Sequence, residues 1–225
     1  MSWQHIRPAD LAWRTVSPGF SSRVLTQDPF PVYQYRVEAR TEAPLKGLVL
    51  VQEGSGELVG GVRVAAGDLL WRRAAEQVRA AGAGLIWSQL ELPVSMQPGV
   101  GSFKVGVDEK PWQAFEDPAG RPTQPVQVLL DSTLSALRTR FVPTYEAGEH
   151  WHDFDTLYFI TAGDMQFGFE GQYYTGDVRQ VRGGFSYGPE KPGPSGVEFV
   201  LFSCGGSVNL HWSDLERSPH GALSR

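Results

Sequence analysis

The sequence predicts an all-β chain, organised as two small antiparallel barrels of the jelly-roll type in tandem, on three observations. Glycine (26) and proline (16) are frequent and the apolar runs between them are short, the pattern of many strands joined by tight turns. A chain of 225 residues that is 41% hydrophobic can bury a substantial core, enough for one large β domain or two small ones. The third observation is that the two halves repeat each other.

Residues 53–73, EGSGELVGGVRVAAGDLLWRR, run parallel to residues 162–182, AGDMQFGFEGQYYTGDVRQVR, without a gap. At one constant offset Gly54 matches Gly163, Gly67 matches Gly176, Asp68 matches Asp177 and Arg73 matches Arg182. Each copy reads as a strand, a turn glycine, a second strand, a Gly-Asp turn and a third strand, with the aspartate placed to bond turn amides. Upstream, VYQYRVEAR (32–40) and LRTRFVPTY (137–145) alternate in polarity as half-buried strands do. Downstream, GLIWSQLEL (84–92) and VEFVLFSC (197–204) are apolar enough for core strands. These elements set the expected boundaries: a first barrel over 1–93, a connecting segment over 94–124 and a second barrel over 125–225. Within the connection, SFKVGV (102–107) can add a strand to one barrel, and IRPADLAWRTV near the start can hold a helical turn with Asp10 as a weak cap.

The net charge of −5 is spread along the chain with no cluster of Lys and Arg, which disfavours nucleic acid and anionic membrane surfaces as partners. The first residues lack a basic and apolar leader, and no apolar stretch is long enough to span a bilayer, so a soluble cytoplasmic protein is expected. The one cysteine, Cys204, lies in the apolar run FVLFSC and reads as buried and inert. The motifs of nucleophile elbows, P-loops, HExxH metalloproteases and dinucleotide sites are absent.

Two of the five histidines fall as His150-Trp151-His152, just before the apolar strand TLYFIT. Two residues apart on an extended chain, their imidazoles share one face, while Trp151 points the other way. His5, His211 and His220 read as incidental, with His211 on a terminal strand. Continuing the alternation from His152 puts Phe154 and Thr156 inward and Asp153 and Asp155 outward.

Residues 148–163, GEHWHDFDTLYFITAG, resemble the first motif of the cupin superfamily, in which an HxH pair precedes a glutamate, a hydrophobic strand and a glycine. Residues 176–187, GDVRQVRGGFSY, resemble the second, in which Gly-Asp opens a strand that leads through Pro-x-Gly to a third histidine. The resemblance implies a double-stranded β-helix in each half and a divalent transition metal (iron, nickel, manganese or zinc) on His150 and His152. The sequence departs from the pattern at three positions: Thr156 stands at the glutamate, Tyr187 at the third histidine and Arg182 at the proline. In the first half the ligand positions fall on Thr41, Ala43, Gly47 and Val78, none of which anchors a transition metal in the usual way, so that barrel is expected to be metal-free.

Two imidazoles alone hold a metal weakly, and the shell needs further donors from protein or substrate. Tyr187 can coordinate as a phenolate or donate a hydrogen bond; Glu198 sits on the expected last strand; Asp155 is disfavoured by its outward face. Arg179, Arg182 and Gln180 share the strand that leads to Tyr187, with a solvated outer face as the expectation for the arginines. The candidates for catalysis are therefore His150, His152 and Tyr187, for metal His150 and His152, and for the pocket Thr156, Tyr158, Tyr187, Gln180 and Glu198. Such a pocket places a few polar groups among many apolar ones. The expected function is binding of a small organic molecule, which is the expected partner, with the metal optional; a homodimer is left open. The alternatives are a metal-dependent non-haem oxygenase or isomerase and a non-catalytic sensor or structural protein.

Overall fold

A computed structural model describes residues 2–99, 101–113, 124–206, 208 and 210–212. The strands in chain order are β1 (Trp3–Ile6), β2 (Arg14–Ser17), β3 (Phe20–Thr26), β4 (Val32–Val37), β5 (Glu42–Leu58), β6 (Arg63–Ala65), β7 (Leu69–Leu90) and β8 (Phe103–Val105). They continue with β9 (Val126–Leu130), β10 (Ser135–Phe141), β11 (His150–His152), β12 (Thr156–Phe167), β13 (Gly171–Tyr174), β14 (Val178–Val181), β15 (Glu190–Ser203) and β16 (Leu210–Trp212). Among the described residues there is no α-helix. Pro8–Asp10, where a helical turn was expected, and Val94–Met96 form 3-10 turns. No described helix is long and apolar enough to cross a membrane.

The chain divides into two compact units, Pro8–Lys110 and Met1–Arg7 with Pro111–Arg225. The boundaries thus differ from 93 and 125. The amino-terminal strand β1 pairs with β14 of the second unit (Trp3 opposite Val181, Ile6 opposite Val178), and β8, from the expected connection, pairs with β7 of the first.

In the first unit the sheet order is β2-β3-β4-β7-β5-β6, with β8 on β7. Two long strands close it. Leu48 of β5 faces Trp71 on one side and Leu90 on the other, so the two arms of β7 flank β5 and curl the sheet round a core. That core holds Phe20, Leu45, Val49, Leu70 and Trp87. Ala43 and Val78, two of the positions that correspond to metal ligands, face each other within it.

In the second unit the order is β1-β14-β12-β15-β10-β9, with β13 on β12, and β11 pairs with β16. The backbone of Tyr187 exchanges two 2.9 Å hydrogen bonds with His150, and Glu190 exchanges two with Ala147, at 3.0 and 2.9 Å. These bridges tie the start of β15 to the segment that carries the histidines.

The repeat read from the sequence is a repeat of hydrogen bonds. In the first unit Ala66 N donates to Gly54 O, Gly67 N to Val51 O, and Val51 N to Asp68 O, at 3.0, 2.8 and 2.9 Å. In the second, Thr175, Gly176 and Ile160 make the same bonds to Gly163, Ile160 and Asp177, at 3.1, 2.9 and 3.0 Å. Each aspartate caps its turn: Asp68 Oδ2 accepts from Ala65 N at 2.9 Å and Asp177 Oδ2 from Tyr174 N at 3.0 Å.

Gly163 (φ +72) shows why the turn glycine is required, because a Cβ there would run into the carbonyl of Gly196. Gly184 has nearly the same φ, +74, and open space around it. Gly163→Ala is therefore expected to destabilise the protein by about 3 kcal/mol or more, and Gly184→Ala by about 1 kcal/mol, the cost of the left-handed backbone alone. Urea unfolding of both variants checks the difference.

Candidate functional site

His150 and His152 stand on β11 with 3% and 5% exposure, and Trp151 between them turns outward to stack on His211. The two imidazole centroids are 5.6 Å apart. Nδ1 of His150 lies 2.8 Å from the carbonyl of Gly148, which can only accept, so Nδ1 carries a proton. Nε2 points toward Glu190, with Oε1 at 3.9 Å. His152 Nε2 lies 3.4 Å from the Tyr158 hydroxyl, which in turn is 2.5 Å from the Tyr187 hydroxyl. The sequence-predicted His150, His152, Tyr158 and Tyr187 are thus brought together.

A cavity of about 170 Å³ opens against this group. His150, His152, Tyr158 and Glu190 form its polar side, and Leu137, Phe141, Phe199, Leu201 and Trp212 much of its apolar wall. Tyr187 lies behind this surface, its ring edge-on to His150 at 4.5 Å. Thr156 is buried and its register places it on the inner face, opposite Val181 and Ser203, but it is not part of the cavity lining and its hydroxyl has no hydrogen-bond partner.

Three expectations are corrected. Gln180 lies on the outer face, opposite Leu157 and Gln4, because its neighbours Arg179 and Val181 take the inner one. Glu198 also faces away from the cavity: its β15 neighbours Val197 and Phe199 point inward, and its carboxylate accepts hydrogen bonds from Arg140 at 3.1 and 2.6 Å. Phe154 is 38% exposed, since a bend at Asp153 and Phe154 breaks the alternation between β11 and β12. Asp155 does face outward, accepting hydrogen bonds from Arg182 Nη1 at 2.5 Å and Gly183 N at 2.9 Å. Cys204 is buried, and burial pushes its thiol up to about 12. His5 sits on β1 with Nε2 2.8 Å from Asp177 and its ring stacked on Tyr173, and His211 is on β16 as expected; His220 lies outside the described residues.

Sequence reasoning missed two residues. Arg179, expected on a solvated face, is fully buried inside the barrel. Its Nε and Nη2 donate to Glu170 at 2.7 and 2.5 Å, and its guanidinium lies over the rings of Tyr187 and Phe167 at 4.0 and 4.1 Å. Burial opposes its charge, but the hydrogen bonds it donates to Glu170 more than compensate and hold it protonated. The second is Glu190. The Pro/Gly-rich phrase YGPEKPGPSG reads as a loop, yet β15 begins at Glu190, and the bridge to Ala147 aims the side chain into the cavity. Burial pushes this carboxyl up to about 7, with Arg179 pulling down and Glu170 pushing up. Burial also raises the phenols of Tyr158 and Tyr187 well above the usual range, so both keep their protons near neutrality.

The residues fit a metal ion as a partial shell. His150 Nε2 and Glu190 Oε1 are both buried, and their 3.9 Å separation is one that a single ion about 2.0–2.2 Å from each would span. Among the described residues no group of three or more His, Cys, Asp and Glu side chains has metal-holding geometry.

Glu190 also sets a pH dependence. Its carboxyl titrates near 7 in the folded chain against an ordinary value of 4.5, so between those limits the unfolded chain gives up the proton while the folded one keeps it. Stability therefore falls as pH rises from 4.5 to 7, by on the order of 3 kcal/mol, and levels off above. Urea unfolding from pH 4.5 to pH 8 should show this slope, and Glu190→Gln should flatten it.

No protein-family model and no curated protein matches the sequence. Solved structures do match in fold. The oxalate decarboxylase of Lactobacillus farciminis in its formate complex superposes with a TM-score of 0.63 at 13% identity, over 96% of this chain and 90% of that one. A single-site variant of the Bacillus subtilis oxalate decarboxylase gives 0.63 at 14% identity, over 94% and 80%. A further structure of the Bacillus subtilis enzyme, from a study of its Mn(II) centres, gives 0.61 at 13% identity over the same shares. With its antiparallel sheets, its repeated Gly-Asp turns and this likeness, the chain has the cupin fold, a jelly-roll β-barrel in each of its two units.

Proposed function

We propose that the second barrel binds a small organic molecule in the cavity between His150, His152, Tyr158 and Glu190. One observation carries the reading: Glu190 Oε1 is fully buried, faces a cavity of about 170 Å³ and has no hydrogen-bond partner. Folded proteins seldom leave a buried carboxyl in that state, because its lost hydration costs about 1–3 kcal/mol unless something replaces it. A ligand that bonds to Glu190 and packs on the apolar wall replaces it. The chain's own groups then have distinct tasks. His150, its Nδ1 held by Gly148, presents Nε2 toward Glu190; the Tyr158 and Tyr187 hydroxyls hold their protons beside His152; the apolar wall excludes water, which strengthens each polar contact.

A second reading is a divalent transition metal at the same place, favoured by the span between His150 Nε2 and Glu190 Oε1 and by the Mn(II) centres named for the Bacillus subtilis enzyme. His150 would hold it with Glu190, His152 would join by turning from Tyr158, and the metal would supply Lewis-acid or oxygen chemistry when bound. An oxygenase or isomerase of the cupin type belongs to this reading.

The test uses metal analysis by plasma mass spectrometry on protein purified without a His tag or chelator, together with tryptophan fluorescence during titration with a library of small organic molecules. The expected result is a saturable response that the double variant His150→Ala, His152→Ala loses while its circular dichroism stays that of the wild type. Near-stoichiometric metal that vanishes in the double variant moves the conclusion to the second reading. A response unchanged in the double variant would sink the assignment of the site.

A further inference from the structure

The composition of the cavity narrows the kind of molecule it can take. Its wall of Leu137, Phe141, Phe199, Leu201 and Trp212 is apolar, and its volume of about 170 Å³ is close to the roughly 150 Å³ of an apolar protein cavity that accepts a benzene ring. The polar atoms that lack a partner in this lining are mostly acceptors. Glu190 Oε1 is one and Gln124 Oε1 is another; the Tyr145 hydroxyl, which can donate or accept, is the third. His150 Nε2 stands 3.9 Å from Glu190 Oε1. Neither of the fully buried arginines of this barrel is part of the cavity lining: Arg179 gives two hydrogen bonds to Glu170, and Arg138 gives one to Gln127.

We infer that the cavity takes a ring-sized molecule bearing neutral hydroxyl donors, of the phenol or catechol class, and discriminates against dicarboxylates such as oxalate. The inference rests on the organic-ligand reading above and narrows it. A hydroxyl on the ring donates to Glu190 Oε1, an adjacent hydroxyl lies beside His150 Nε2, and the ring fills the apolar wall. A dicarboxylate presents only acceptors. It would lose its water on entry and find no arginine or lysine in the lining to replace it. The fold is shared with oxalate decarboxylases, but the side chains that line this barrel suit a different chemistry.

The experiment is calorimetric titration of the full chain, stripped of metal by chelator and dialysed, with catechol, phenol, toluene, benzylamine and oxalate. Catechol and phenol are expected to bind at least about tenfold more tightly than toluene, from the hydrogen bonds toluene cannot make, with no heat of binding from oxalate. Glu190→Met keeps side-chain length and removes the acceptor; it should cut the preference for catechol over toluene about tenfold. Should that variant fail to fold, the ranking of the five probes on the wild-type protein decides the matter by itself. Oxalate binding as tightly as catechol, or benzylamine ranking first, overturns the inference about class and leaves the pocket standing. Binding by none of the probes, with or without restored Mn(II), overturns the ligand-binding reading as well.

Discussion

A guanidinium with no exposure inside the second barrel is the constraint around which that barrel is arranged. Arg179 cannot shed its charge, so the chain must bring a carboxylate to it, and Glu170 arrives from the turn between β12 and β13 with both oxygens engaged. The Tyr158, Phe167 and Tyr187 rings then enclose the cation. Arg179 is committed to Glu170 by two hydrogen bonds, so it only partly offsets the burial that raises the second buried carboxyl, Glu190, in its affinity for a proton.

The two barrels show how far a shared frame can be separated from its contents. Their turn hydrogen bonds agree almost bond for bond, since the Gly-Asp turn depends on backbone conformation and one short side chain. Their interiors do not. Where the second barrel sets His150, His152 and Tyr187, the first sets Ala43 and Val78 in an apolar core with Trp87. Such a core is close-packed and needs no polar partner, so the first unit can support the fold without supplying a site.

What was legible in the sequence is what local physics controls. The Gly-Asp turns, the paired histidines on an extended segment and the apolar strands can be read because glycine backbone, strand period and hydrophobic runs act within a few residues. Glu190 was not legible, because Pro192, Gly193 and Pro194 punctuate the stretch as a loop, and only pairing with Ala147 makes a strand of it. Gln180 and Glu198 were placed in the pocket for a related reason: polar and apolar residues occur on both sides of their strands, and only the register with β12 and β10 shows theirs to be the outer side. Arg179 was misread because its partner lies nine residues away in a turn, a distance at which no strand periodicity speaks.

The placement of β1 makes the first barrel an insertion within the second. Its strand pairs with β14, and His5 reaches Asp177 across 172 positions of sequence, with the whole of Pro8–Lys110 emitted between the two halves of the contact. On a ribosome, the opening strand therefore waits for its neighbour until most of the chain has been made, with a long loop to close and an unpaired β edge meanwhile exposed. Cutting the chain at Lys110 to isolate the second barrel would leave β14 without its edge partner. The second barrel is thus a discontinuous folding unit, completed by the first residues of the chain rather than by the last strand beside it in sequence.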